Sequence, residues 1–218
     1  MKYKGAIFDM DGLLFDTERI YQKIWKEIAA ERNLNLDSNF IKAISGTNGS
    51  NMCHIIENYY CVSDGTMIIE ECRKRVEQKL SHYVPIKKGV NTILNFFQEK
   101  DVSMAVASSS TLKQMKANLQ TAGIYNYFSA IVSGEEVKYG KPAPDIFLCA
   151  AQKLGVMPQE CFVFEDSENG IKAGYAAGCF TIMIPDLVKA SSAIQPFCTR
   201  IYEDLLQAEQ EIKAYWKM

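Results

Sequence analysis

The 218-residue chain is predicted to fold as an α/β protein, a doubly wound parallel sheet carrying an inserted helical subdomain. Three observations predict it. Short apolar, β-branched runs recur along the chain, helical patterns separate the later ones, and one long stretch behind the first run holds helical patterns only. Strands alternating with helices of this kind imply right-handed crossovers and a sheet covered on both faces.

The runs with the character of buried parallel strands are 4–8 (KGAIF), 103–107 (SMAVA), 128–133 (FSAIVS), 162–165 (FVFE) and 180–184 (FTIMI). Behind the first, Ile20, Ile24 and Ile28, then Ile69, Cys72, Val76 and Leu80, keep the three- and four-residue spacing of helix faces. Residues 16–83 are therefore expected to form a helical subdomain able to cover the strand ends as a lid, with 1–15 and 84–218 as the sheet domain. Within the lid, Gly46-Thr47-Asn48-Gly49-Ser50 reads as a flexible turn, Trp25, Tyr59 and Tyr60 as packing aromatics, and His54 as an exposed helix residue. In the sheet domain Val90, Ile93, Leu94 and Phe97 mark one helix, and Leu112, Met115, Leu119 and Ala122 before Gly123 a second. Ile146, Phe147, Ala150 and Leu154 before Gly155 mark a third, 170–177 before Gly178 a shorter one, and 203–217 a terminal helix around Leu205, Leu206 and Ile212.

Twenty-four basic and 26 acidic residues nearly cancel, which argues against a nucleic-acid or anionic-lipid footprint and for a small-molecule partner. Seven cysteines, odd in number and never spaced C-x-x-C, read as reduced packing residues of a cytoplasmic protein. With only His54 and His82 beside them, zinc is disfavoured. No run has membrane-spanning length, and Asp9, Asp11 and Asp16 interrupt any signal-peptide core. P-loop and dinucleotide fingerprints are both absent.

Ligands of open α/β sheets sit beyond the carboxyl ends of the strands, so the residues there are the ones to compare. Asp9-Met10-Asp11-Gly12 follows the first run, and in an extended backbone Asp9 and Asp11 share a face while Met10 turns toward the core. An EF-hand is disfavoured because Leu13 stands where a third oxygen ligand belongs. Ser108-Ser109-Ser110 follows the second run, Gly140-Lys141-Pro142-Ala143-Pro144-Asp145 the third, and Glu165-Asp166 closes the fourth. Each has a mundane alternative: serines as N-caps, Lys141 on a surface loop, Glu165-Asp166 opening a helix. Their joint placement at strand ends favours a site. Asp9, Asp166 and Glu165 carboxylates with the Asp11 carbonyl suit a hard cation such as Mg²⁺. A carboxylate approaching phosphate meets repulsion of about 4 kcal/mol per charge pair at an effective dielectric of about 20, which the cation and Lys141 would offset. The Ser108 hydroxyl and nearby amides would hold the phosphoryl oxygens.

In FDMDGLLFDTE (8–18), VASSS (106–110), GKPAPDIF (140–147) and FEDSENG (164–170), taken in order, the sequence resembles the haloacid dehalogenase superfamily, in its helical-cap phosphatase and phosphomutase branch. The resemblance implies a Rossmann-like core with an inserted cap, and an Mg²⁺-dependent phosphoric monoester hydrolase. It implies Asp9 as nucleophile forming an aspartyl-phosphate, Asp11 as general acid/base, and Ser108, with Ser109 beside it, and Lys141 as phosphate clamps. Asp9, Asp11, Glu165 and Asp166 become the metal set. Family members that break carbon–halogen bonds lack the second acid, so Asp11 disfavours dehalogenation. The expected substrate is a small phosphorylated metabolite (sugar phosphate, nucleotide or phosphoglycolate), and the expected assembly a monomer or weak homodimer.

The alternative within the family is β-phosphoglucomutase. Its hinge histidine falls at Tyr21 by ungapped count, and its cap arginine at Gly49, in a loop without Arg or Lys, although Arg73, Lys74 or Arg75 could substitute. A non-catalytic phosphate sensor is the third alternative, disfavoured by the intact nucleophile, acid/base and lysine.

Overall fold

In the computed structural model, which describes residues 3–44, 47, 49–187 and 189–216, the predicted alternation begins with β1 (Gly5–Phe8). Four helices follow: α1 (Thr17–Glu31), α2 (Ser38–Ile44), α3 (Gly49–Tyr60) and α4 (Thr66–Leu80). The chain continues as α5 (Val90–Glu99), β2 (Ser103–Ser108), α6 (Leu112–Thr121), β3 (Ala130–Ser133), α7 (Asp145–Leu154), β4 (Cys161–Glu165), α8 (Glu168–Ala176), β5 (Phe180–Met183), β6 (Arg200–Ile201) and α9 (Leu205–Trp216).

The six strands form one parallel sheet in the order β3-β2-β1-β4-β5-β6. Phe8 of β1 stands opposite both Val106 of β2 and Phe164 of β4, so Asp9, Ser108 and Glu165 emerge along one edge. Asp9 keeps that register, its N–H donating to the Phe164 carbonyl at 3.0 Å. The period-two alternation of strands divides the core. Ile7, Ala105, Ala107 and Val163 pack with Ile146, Phe147 and Ala150 of α7 and Ala173 of α8. On the other face Phe8 stacks on Phe164 with ring centroids 4.7 Å apart, and Phe97 of α5 meets both rings. Strands β1 and β4 approach so closely that a Cβ on Gly5 would lie 2.6 Å from Cys161 Sγ.

Most helix faces are those the spacing predicts: Val90, Ile93, Leu94 and Phe97 are buried, as are Met115, Leu119, Ile146, Phe147 and Ala150. Gly123, Gly155 and Gly178 take the positive φ expected after helix ends. Strand boundaries differ by a residue or two. Pairing of the third run starts at Ser129, because Tyr125–Tyr127 is a 3₁₀ turn that the Phe128 N–H closes onto the Tyr125 carbonyl. Strand β4 starts earlier, at Cys161. The edge strand β6 was not expected, since Arg200 and Ile201 are exposed and belong to no apolar run. The seven cysteines are free thiols, and burial pushes Cys161 up to about 11 and Cys179 up to about 12, in keeping with packing roles. No helix among the described residues is long and apolar enough to cross a membrane.

The chain divides into two compact units, Met1–Asp16 with Val84–Met218, and Thr17–Tyr83. In the helical unit Ile24, Ile28, Ile69, Cys72, Val76 and Leu80 form the buried faces. Trp25, Phe40 and Tyr60 meet edge to face, and the Tyr60 hydroxyl donates to the Trp25 carbonyl at 2.6 Å. Of the expected turn at 46–50, Gly46 and Asn48 lie outside the described residues, and Gly49 and Ser50 open α3 instead. That helix is carried by Ile56 and Tyr60, buried one turn apart, while His54 is exposed beside Glu57. In the sheet unit the departing and returning segments are tied together: Asp16 N–H donates to the Pro85 carbonyl at 2.9 Å and Lys87 N–H to the Leu14 carbonyl at 3.0 Å.

Candidate active site

The edge where β1, β2 and β4 end gathers the predicted residues. Asp9 is buried at the end of β1, and Met10 behind it is fully buried, as the alternation requires. Gly12, at φ +89°, then reverses the chain, with Leu14 and Phe15 N–H both donating to the Met10 carbonyl. Lys141 comes from the loop before α7, anchored by Ile146 and Phe147 against the sheet. Its ammonium lies 2.5 Å from Asp9 Oδ1, 2.5 Å from Glu165 Oε1 and 3.3 Å from the Ala107 carbonyl. Glu165, 1% exposed, uses its other oxygen to accept from both the N–H and the hydroxyl of Ser167, each at 2.9 Å. Asp11 turns to the serine loop, its Oδ2 accepting from Ser110 Oγ at 2.8 Å, with Ser108 Oγ at 3.5 Å.

The mundane alternatives can be checked against the helix ends. The N-cap of α6 is Thr111, which accepts from Gln114 N–H at 3.3 Å, so Ser108, Ser109 and Ser110 do not cap it. The N-cap of α8 is Ser167, which accepts from Gly170 N–H at 3.1 Å, and the first-turn acid is Glu168 rather than Glu165 or Asp166. Lys141 is no surface lysine, its side chain being 7% exposed. Ser109, by contrast, is exposed.

Charge in this corner is strongly coupled. Burial raises the Asp9 carboxyl well above the usual carboxylate range, Lys141 opposes the rise, and Glu165 and Asp11 add to it. For Lys141 burial works against the charged form, but Asp9 and Glu165 more than offset it and raise the ammonium above the ordinary lysine value. One cation is thus shared by two buried acids.

Oxygens of Asp9, Glu165 and Asp166 lie within 4.8 Å of one another. All are hard carboxylate donors, the set that Mg²⁺-like cations take. Glycines keep the space: a Cβ on Gly12 would sit 2.3 Å from Asp166 Oδ2, and one on Gly170 would sit 1.9 Å from Glu165 Cδ. The donor set therefore fits a divalent cation. The Asp11 carboxylate is not in this group, so its expected share in metal binding rests on its backbone carbonyl alone. Ser110, Ser167, Gly12 and Gly170 stand beside these groups; the sequence motifs contain them, but no site role was expected of them. The only signal available for them was their nearness to predicted residues.

Sheet topology and the groups at the strand ends together define an α/β protein with a polar site beyond the carboxyl ends of its strands. Residues 6–184 match the haloacid dehalogenase-like hydrolases, and the chain belongs to that family. Fructose-1-phosphate phosphatase YqaB of Escherichia coli is 35% identical, the match covering 81% of this chain and 94% of that protein. A phosphorylated carbohydrates phosphatase of Thermotoga maritima is 30% identical, covering 80% of this chain and 82% of that protein. Among solved structures, a HAD family hydrolase from Deinococcus radiodurans with bound phosphate and sodium matches with a TM-score of 0.78 at 25% identity, covering 99% of this chain and 95% of that one. β-Phosphoglucomutase from Clostridium difficile matches in fold with a TM-score of 0.77 at 21% identity, covering 99% of this chain and all of that one. The chain is accordingly a phosphoric monoester hydrolase, and enzymes of this family generally use a divalent metal.

Proposed function

We propose that the enzyme is a cytoplasmic, Mg²⁺-dependent phosphatase of a small phosphorylated metabolite, a sugar phosphate before a nucleotide or phosphoglycolate, acting through an aspartyl-phosphate on Asp9. The observation that carries this is Asp9 itself: a buried carboxylate gripped by Lys141 at 2.5 Å and grouped with Asp166 and Glu165. The names of the carbohydrate-phosphate phosphatases among its relatives support the sugar-phosphate preference.

Asp9 attacks phosphorus while Asp11 gives its proton to the leaving oxygen; Asp11 then takes a proton from the water that hydrolyses the phosphoenzyme. Lys141 orients Asp9 and offsets anionic repulsion, and Ser108 and Ser109 hold the phosphoryl oxygens. Asp9 and Asp166, with Glu165 and the Asp11 carbonyl, would hold the cation, which supplies further charge compensation when bound. Residues 16–83 are proposed as a helical cap that selects among leaving groups, in a monomer or weak homodimer.

A phosphomutase activity at the same site is the second reading, and the likeness in fold to β-phosphoglucomutase accommodates it. Against it, Arg75 is committed within the helical unit, bidentate to Glu31 with both contacts at 2.6 Å and paired also to Glu71. Incubation with Mg²⁺, β-glucose 1-phosphate and a trace of the bisphosphate separates the two. Free phosphate is expected; glucose 6-phosphate formed much faster would overturn the preference. Phosphate release from a metabolite panel should stop on EDTA treatment and return with Mg²⁺, and turnover that survives EDTA would sink the metal assignment.

A further inference from the structure

Asp11 is held by a hydroxyl, and the backbone of the residue that carries it is itself held from the neighbouring strand. Ser110 Oγ donates to Asp11 Oδ2 at 2.8 Å, and the Ser110 carbonyl accepts from Ser133 Oγ at 2.7 Å. Ser133 is the last residue of β3 and is fully buried. Its hydroxyl also accepts from Glu135 N–H at 3.2 Å, and Glu135 Oε2 accepts from Leu112 N–H at 3.2 Å. A Cβ on Gly134 would lie 3.2 Å from Ser109 Cα, so the two backbones touch there as well. The end of β3 thus grips the β2–α6 loop on both sides of the Ser110 side chain.

We propose that Ser110, seated by Ser133, is a positioning residue for proton transfer. A carboxylic acid able to turn about its Cβ–Cγ bond can present its proton on either oxygen. By donating to Oδ2, the Ser110 O–H fixes that atom as acceptor and assigns the mobile proton to Oδ1. As the P–O bond breaks, its electron pair stays on the leaving oxygen, the Oδ1 proton moves to that oxygen, and Asp11 is left as carboxylate; the attacking water later returns a proton to it. The inference rests on the acid/base role proposed for Asp11, and goes beyond it in naming what orients that acid.

The leaving group provides the test, because an alkoxide needs a proton and a dinitrophenolate does not. For Ser110→Ala, kcat/KM is to be compared on an alkyl phosphate that the enzyme turns over and on 2,4-dinitrophenyl phosphate, since this parameter reports only steps through phosphoryl transfer to Asp9. The alkyl phosphate should lose ~10- to 100-fold, the scale of misplacing a catalytic group, and the aryl phosphate less than about threefold, carried mainly in kcat rather than KM. Ser110→Thr should restore the alkyl activity, and Ser133→Ala should reproduce the selective loss in weaker form while its melting curve reports folding. Equal losses on both substrates, or none, would overturn the inference. Asp11→Asn separates the layers. If it shows the leaving-group-dependent loss and Ser110→Ala does not, only the positioning role falls; if it does not, the acid/base role falls and the inference with it.

Discussion

Lys141 and Ser110 each hold an aspartate of the same site, but they do so by different physics. The lysine corner is ionic: Lys141, Asp9 and Glu165 are almost wholly buried, and the ammonium lies 2.5 Å from each acid. The serine corner is neutral on the donor side and half-buried, with Asp11 held by a hydroxyl. Buried ions are costly unless paired, so the first corner is stiff and intolerant of partial removal. A hydroxyl–carboxylate contact gives direction with little electrostatic constraint, which suits an acid that must both lose and regain a proton. If Asp9 attacks and Asp11 moves the proton, as proposed, rigidity falls to the first and protonic freedom to the second.

Removing Asp9, the proposed nucleophile, should break the ionic corner most completely. Asp9→Asn is expected to cost ~10⁴-fold or more in phosphate release from an aryl phosphate, the scale seen when a covalent nucleophile is deleted. Melting and circular dichroism should show a folded chain; substantial residual turnover would remove Asp9 from that role. Lys141→Met should nearly abolish activity and also destabilise by ~3–5 kcal/mol, because two buried carboxylates lose their cation. Denaturant unfolding would show it, and adding Glu165→Gln should recover part of the stability but none of the turnover. A Lys141→Met protein as stable as the parent would mean that the corner is not strained by its acids.

Glycine substitutions probe the floor beneath both corners. Gly12→Ala places a methyl against Asp166 at a left-handed φ, so a stability loss of ~1–2 kcal/mol is expected. Displacement of Asp166 by ~1 Å should lower turnover by ~10²-fold, with a raised Mg²⁺ requirement. An unchanged metal dependence would detach Asp166 from the cation. The smallest effect belongs to the helical unit, where Arg75→Ala removes partly exposed pairs with Glu31 and Glu71. It should cost no more than ~1 kcal/mol by denaturant titration and leave phosphatase kcat near the parent value. A large fall in substrate affinity would instead place Arg75 against the substrate.

Groups announced by a strand end were legible in the sequence. Asp9 and Asp11 follow an apolar run at i and i+2, Ser108 and Glu165 close their strands, and Lys141 precedes a clear helix. The sheet order, however, was not written in any local pattern; it depends on which strands pair. Ser110 and Ser133 stayed hidden because their meaning lies in contacts across long stretches of chain: Ser110 reaches 99 residues back to Asp11, and Ser133 reaches 23 back to Ser110. Read locally, the first belonged to a run of capping serines and the second to the end of a strand. Gly12 and Gly170 were equally silent, since what matters is the side chain each leaves room for. Strand β6 escaped because two exposed residues carry no apolar signature.

The pair of backbone hydrogen bonds joining Asp16 to Pro85 and Lys87 to Leu14 makes residues 17–83 an excursion that starts and ends at one place. A detour of that kind is modular. Its length enters the closure entropy only logarithmically, each doubling adding ~0.6 kcal/mol. Helices can therefore be lengthened, exchanged or recruited from elsewhere there while β1 and its neighbours keep their register. If the insertion selects the leaving group, as proposed, its helices can change without rebuilding the strand ends that carry the chemistry.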